Sequence, residues 1–97
     1  MDMESLMAQA QELQTKISAA QDSLAQMHVK GIAENGAVVI TMTGKYDIIS
    51  VVISDNAVAF GAKKLSDLVS DAYKDAKTKA DALIEKVMSS VTGGLPE

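Results

Sequence analysis

The side chains with acid–base capacity fall mostly in one segment. Asp67, Asp71 and Asp75 follow one another at four-residue spacing, which places them on a shared helix face. Paired carboxylates catalyse proton transfer when burial forces their pKa values apart. Here Lys74, Lys77 and Lys79 are interleaved with them, and the pattern reads as a solvated face. His28 is the only histidine and there is no cysteine. A two-histidine metal site, a thiolate zinc site, an iron–sulfur cluster and a thiol nucleophile are therefore excluded within one chain. No phosphate loop, dinucleotide fingerprint or nucleophile elbow is present. The residues predict no enzyme, no cofactor, no metal and no small-molecule substrate.

The remaining chemistry is that of lysine. Nine lysines stand against thirteen acids and there is no arginine, for a net charge of −4. That balance argues against a globally cationic coat for nucleic acid. A local basic surface depends instead on where the lysines sit. Asp75 with Lys79, and Lys77 with Asp81, are four residues apart and read as helix-stabilising pairs. Lys63 and Lys64 stand where a helix begins, and the helix dipole disfavours cations there. Their position calls for an anionic partner. Lys30 and Lys45 extend this into a discontinuous basic surface.

These residues must be carried by helices and strands whose outlines are legible. From Met3 to Met27 the apolar residues Met3, Leu6, Ala10, Leu13, Ile17, Ala20, Leu24 and Met27 are separated by alternating steps of three and four. That is the heptad pattern of a helix seeking a helical partner, in the same chain or in a second copy. Asp2 is placed to cap it. At about 35–40 Å such a helix is longer than a small globule needs. A chain of 97 residues with three aromatics has little material for a self-sufficient core, so association is expected.

Gly31 ends the helical stretch, and Asn35-Gly36 is a strong hairpin signal. The pattern predicts a short strand at Val29–Ala33, a strand at Ala37–Thr43 with Val38, Ile40 and Met42 on one face, and a strand at Ile48–Ser54. The last is apolar on both faces, which predicts a central strand or one covered on both sides. A less regular stretch with Phe60 as its anchor leads to a second long helix over about Lys64 to Thr92, closed by Gly93-Gly94 and Pro96. The expected fold is a single α+β domain over residues 1–97: long helix, three-stranded antiparallel meander, long helix. No segment is apolar for long enough to span a membrane. The acidic Met1-Asp2-Met3-Glu4 start lacks the pattern of a signal peptide.

In this order the chain resembles the YbaB/EbfC family of bacterial nucleoid-associated proteins. The resemblance runs through the Leu6 to Gln14 segment (LMAQAQELQ), Val29-Lys30-Gly31, Asn35-Gly36 before Val38 to Met42, Gly44 before Val51 to Ile53, Leu65 to Ala76, and Gly93 to Pro96. It implies a homodimer whose helices project from a shared sheet like the prongs of tweezers. It also implies binding of double-stranded DNA with little sequence preference, effects on gene expression or nucleoid organisation, and a place in the cytoplasmic nucleoid near recombinational-repair and replication proteins. Related proteins often carry basic residues where this chain has Ile48 and Ile49, so no DNA contact is carried over to those positions.

The expected DNA contacts are Lys16, Lys30, Lys45, Lys63, Lys64, Lys74 and Lys77. Leu6, Leu13, Ile17 and Leu24 are expected to form the helical seam. A prefoldin-like or adaptor module that grips other proteins without DNA is the rival reading, supported by Met3, Met7, Met27, Met42 and Met88, which would suit adaptable apolar contacts. A scaffold for a repair or replication complex is a third.

Overall fold

The structure, a computed structural model, describes residues 2–92. The expected stop at Gly93-Gly94 and Pro96 lies outside the described residues. Helix α1 spans Met3–Gln26, and the carboxylate of Asp2 caps it by accepting from the Glu4 N–H at 2.9 Å. Strands β1 (His28–Ala33), β2 (Val38–Thr43) and β3 (Ile48–Ile53) form an antiparallel sheet in the order β1-β2-β3. A one-turn helix α2 (Asp55–Val58) leads to α3, Ala62–Thr92.

The β1–β2 hairpin turns through Glu34, Asn35 and Gly36, all at positive φ. Asn and Gly tolerate that region, which explains the turn signal. Ala33 then faces Val38, and the register runs back to His28 opposite Thr43.

The core lies on one face of the sheet. Val38, Ile40 and Met42 of β2 and Ala33 of β1 pack against Leu68, Ala72, Ala76 and Ala80 of α3. The small alanines let the helix axis approach the strands closely. The contact is tightest at Gly31, where an added Cβ would lie 1.9 Å from the carbonyl oxygen of Ala72 and 2.5 Å from the amide nitrogen of Ala76. Gly31 is needed for its lack of a side chain.

Helix α1 is held only at its C-terminal end. Along the heptad stripe, exposure falls from 74 % at Met3 and 44 % at Leu6, through half-buried Leu13 and Ile17, to 7 % at Ala20 and 4 % at Leu24. The seam thus pairs within the chain, against α3, over its second half, while the first half stands free. The molecule measures 67 × 22 × 16 Å, with a radius of gyration of 19.1 Å against about 12–13 Å for a compact domain of this length.

Two expectations are corrected. β3 is an edge strand, because a meander leaves its last strand at the border, and within one chain it is covered on neither face. Ile48, Ile49, Val51, Val52 and Ile53 are between 38 % and 58 % exposed. A register irregularity at Thr41/Met42 also sets Ile48 opposite Met42, where simple alternation would have placed Ile49. The second correction concerns Phe60, which is 41 % exposed. The stretch before α3 is anchored instead by buried Ala57 in α2, whose N-terminus is capped by the Ser54 hydroxyl.

Candidate nucleic-acid interface

The α3 lysines are distributed by helix geometry. Ala62 opens the helix, so Lys63 and Lys64 fall in its first turn, where no acid accompanies them. The Lys64 ammonium lies 4.7 Å from the centre of the Phe60 ring, a cation–π contact that uses the exposed aromatic as a platform. Glu34, Asp67 and Asp71 share the same open depression with these lysines, so its charge is mixed. Lys74 and Lys77, three residues apart, project from the exposed side of α3. The expected Lys77–Asp81 pair does not form. Asp81 instead accepts a hydrogen bond from the phenol of Tyr46.

Lys45 sits in the β2–β3 turn, at the opposite end of the sheet from Lys63 and Lys64. A six-residue strand separates the two ends by about 20 Å. The turn is firmly built. The Thr43 hydroxyl accepts from the N–H groups of Lys45 and Asp47, at 3.1 and 3.2 Å. The Gly44 N–H donates to the carbonyls of Leu24 and Met27, at 3.0 and 3.1 Å, which fastens the end of α1 to the turn. Tyr46, at φ 68°, reaches Asp81 and fastens the turn to α3 as well. That bond to a carboxylate raises the phenol's pKa above its ordinary 10.0.

Lys16 forms an ion pair with Glu12 at 3.6 Å and borders the groove between α1 and α3. Lys30 lies on β1, exposed. Among the described residues, Lys30, Lys45, Lys63, Lys64, Lys74 and Lys77 take part in no ion pair, whereas Lys16 does. The structure brings Lys63 to Lys64 and Lys74 to Lys77, but it does not gather the seven into one patch.

Sequence reasoning missed a second role for Asp75 and Lys79. Their ion pair forms as expected, at 2.9 Å. Both side chains also reach across to β1. The Ile32 N–H donates to Asp75 at 2.9 Å, and the Lys79 ammonium donates to the Lys30 carbonyl at 2.7 Å. The Ile32 bond first, and then Lys79, hold the Asp75 carboxyl below its ordinary 3.8. Four-residue spacing reveals the pair, but only the docking of α3 reveals its second partner.

Among the described residues no group of His, Asp or Glu is arranged to hold a metal ion. No helix among them is long and apolar enough to cross a membrane. The candidate lysines are thus exposed and dispersed over both long helices, strand β1 and the β2–β3 turn. The profile of the YbaB/EbfC DNA-binding family matches residues 1–95, and the chain belongs to that family. It is 41 % identical over 91 residues to a nucleoid-associated protein of Bordetella avium, covering 94 % of this chain and 84 % of the relative. A nucleoid-associated protein of Bradyrhizobium diazoefficiens is 39 % identical over 95 residues, covering 97 % and 90 %. The crystal structure of an uncharacterized protein from Helicobacter pylori superposes with a TM-score of 0.82 over 93 % of this chain and 96 % of that one. At 12 % identity it shows the shared fold alone.

Proposed function

We propose that the protein is a nucleoid-associated homodimer that binds double-stranded DNA with low sequence preference, in the cytoplasmic nucleoid. The observation that carries the reading is that six of the seven candidate lysines are exposed and free of ion pairs, in a chain whose family is DNA-binding. Lysine is a point charge without the planar fork that reads guanine, so contacts go to phosphates. An acidic chain with dispersed lysines binds modestly, at about micromolar dissociation constants at physiological salt. An effect on nucleoid organisation or gene expression would follow from many such contacts along the duplex. Proximity to repair or replication proteins rests on the family resemblance alone.

The homodimer reading rests on β3. An exposed, apolar edge strand invites pairing with another chain. A second copy would cover it and complete the core that one chain leaves open.

Gel-shift titration against long duplex DNA of mixed sequence tests the proposal. Binding at low salt, weakening steeply as salt rises and competed by unrelated duplex, is the expected result. Undetectable binding at low salt would sink it.

The rival reading gains from Met3, Leu6 and Met7, which leave an apolar strip at the free end of α1. Protection of an aggregating client by the DNA-free protein would favour it over DNA binding.

A further inference from the structure

The two edges of the sheet are not equivalent. β1 presents the backbone groups of His28, Lys30 and Ile32 away from β2, since alternate residues of an antiparallel strand face its partner. Two of these outward groups, the Lys30 carbonyl and the Ile32 N–H, are already occupied by Lys79 and Asp75. The same alternation turns the backbone groups of Val51 and Ile53 outward from β3. Among the described residues no side chain closes that edge in the same way.

We propose that the Asp75–Lys79 pair stops the sheet at β1, confining strand addition to β3, so that self-association of this chain ends at a closed dimer and does not grow into a filament. The inference deepens the homodimer reading and rests on it for the size of the closed assembly. A strand arriving at β1 must first strip two charge-assisted hydrogen bonds from its backbone. It must then lie against a carboxylate and an ammonium that keep each other but have lost their backbone partners, and desolvating charged groups is costly. An incoming strand at β3 meets side chains that are apolar except for Ser50, none of them charged, and outward backbone groups that no described side chain occupies. If both edges were open, dimers joined through β3 would join again through β1 without limit.

The pair does more here than support its helix. The helix ion pair needs the two side chains only to face each other. The edge stop needs the carboxylate at 75, where a donor must be satisfied, and the ammonium at 79, where an acceptor must be. The exchange variant D75K/K79D therefore keeps an ion pair on α3 and loses both backbone bonds.

The test measures mass by light scattering over a hundredfold range of protein concentration, on nuclease-treated samples whose folding is checked by circular dichroism. The wild type should hold one mass throughout. D75A/K79A and D75K/K79D should gain mass at least twofold as concentration rises. Adding Ile32→Pro to D75A/K79A should restore the wild-type mass, because proline removes the outward donor at an edge position that tolerates it. A folded D75A/K79A or D75K/K79D with wild-type mass would overturn the proposal, as would growth that Ile32→Pro leaves unchanged. Should both double variants fail to fold, Lys79→Met decides. It removes the donor to Lys30 while keeping the apolar stem, and a constant wild-type mass would refute the edge stop. A monomeric wild type would instead refute the homodimer reading, and the change in mass between wild type and variants would still read the edge stop.

Discussion

Gly31 of β1 and Ala76 of α3 approach so closely that a Cβ on the glycine would lie 2.6 Å from the Cβ of the alanine. Strand and helix touch there almost backbone to backbone. The same contact brings Asp75 and Lys79 within reach of the strand's edge.

Gly31→Ala should therefore push α3 away from the sheet. Overpacking typically costs about 1–3 kcal/mol, and the obstacle here is helix backbone, which cannot rotate aside. A fall in melting temperature of about 10 °C or more is expected, at about 4–8 °C per kcal/mol for a small domain. Thermal unfolding by circular dichroism checks it. A melting temperature within 2–3 °C of wild type, about half a kcal/mol, would show that the helix yields freely.

The α1 seam should divide into two behaviours. Leu24→Asp places a charge at a buried position between α1 and the rest of the fold, and should cost several kcal/mol. Leu6→Asp lies on the free half and should leave the fold intact. Equal destabilisation of the two in urea titrations would contradict the gradient of burial along the helix.

Tyr46→Phe should weaken the hold of the β2–β3 turn on α3, and its signature is in the pH dependence. The phenol's pKa is raised in the folded state by its bond to Asp81. Its contribution is fully present below the ordinary value of 10.0 and fades as pH rises through the raised one. The stability difference between wild type and Tyr46→Phe should therefore shrink above that point. A difference that stays constant would mean the bond contributes nothing.

Asp75→Asn works at the other end of the scale. Because the carboxyl's pKa is lowered, its contribution is present above the ordinary 3.8 and disappears as pH falls through the depressed value. Acid unfolding followed by circular dichroism should show the wild type losing its advantage over Asp75→Asn only in that acidic range. An unchanged gap down to the lowest pH would assign the effect to something other than ionisation.

For DNA, the double variant Lys63→Ala/Lys64→Ala should reduce the slope of log K against log salt by up to about two, one for each phosphate left without its lysine. Lys16→Ala, whose ammonium is engaged by Glu12, should change it less. Slopes measured by fluorescence anisotropy on a duplex of mixed sequence decide between them, and a larger effect from Lys16 would move the binding surface to the α1–α3 groove.

Much of this architecture is legible from local pattern. The heptad steps of α1, the alternation of β2 and the Asn35-Gly36 turn each report a local preference that the tertiary structure keeps. What pattern could not show is position within the sheet. β3 has the composition of a buried strand, yet within one chain the order of pairing leaves it at the edge of the sheet and exposed on both faces. Phe60 looked like an anchor because aromatics usually are, yet small Ala57 occupies the buried place. Gly31 read as a helix stop, and its role against Ala72 and Ala76 depends on residues more than forty positions away. For the candidate interface, the lysines could be counted in the sequence but not placed. Only the fold reveals that Lys45 and Lys63 lie at opposite ends of the sheet and that Lys79 is turned onto β1.

The β2–β3 turn is fastened to both long helices, to α1 through Gly44 and to α3 through Tyr46. It therefore acts as the fulcrum of the molecule and sets the angle between its arms. A tilt of about 10° there would swing the far end of the 24-residue α1 by about 6 Å, given its length of roughly 36 Å. The loop from Gly44 to Asp47 thus bears on the calibre of whatever the arms can enclose, and substitutions at Gly44 or Tyr46 would alter which shapes fit while leaving every candidate lysine, Lys45 of the same loop included, in place.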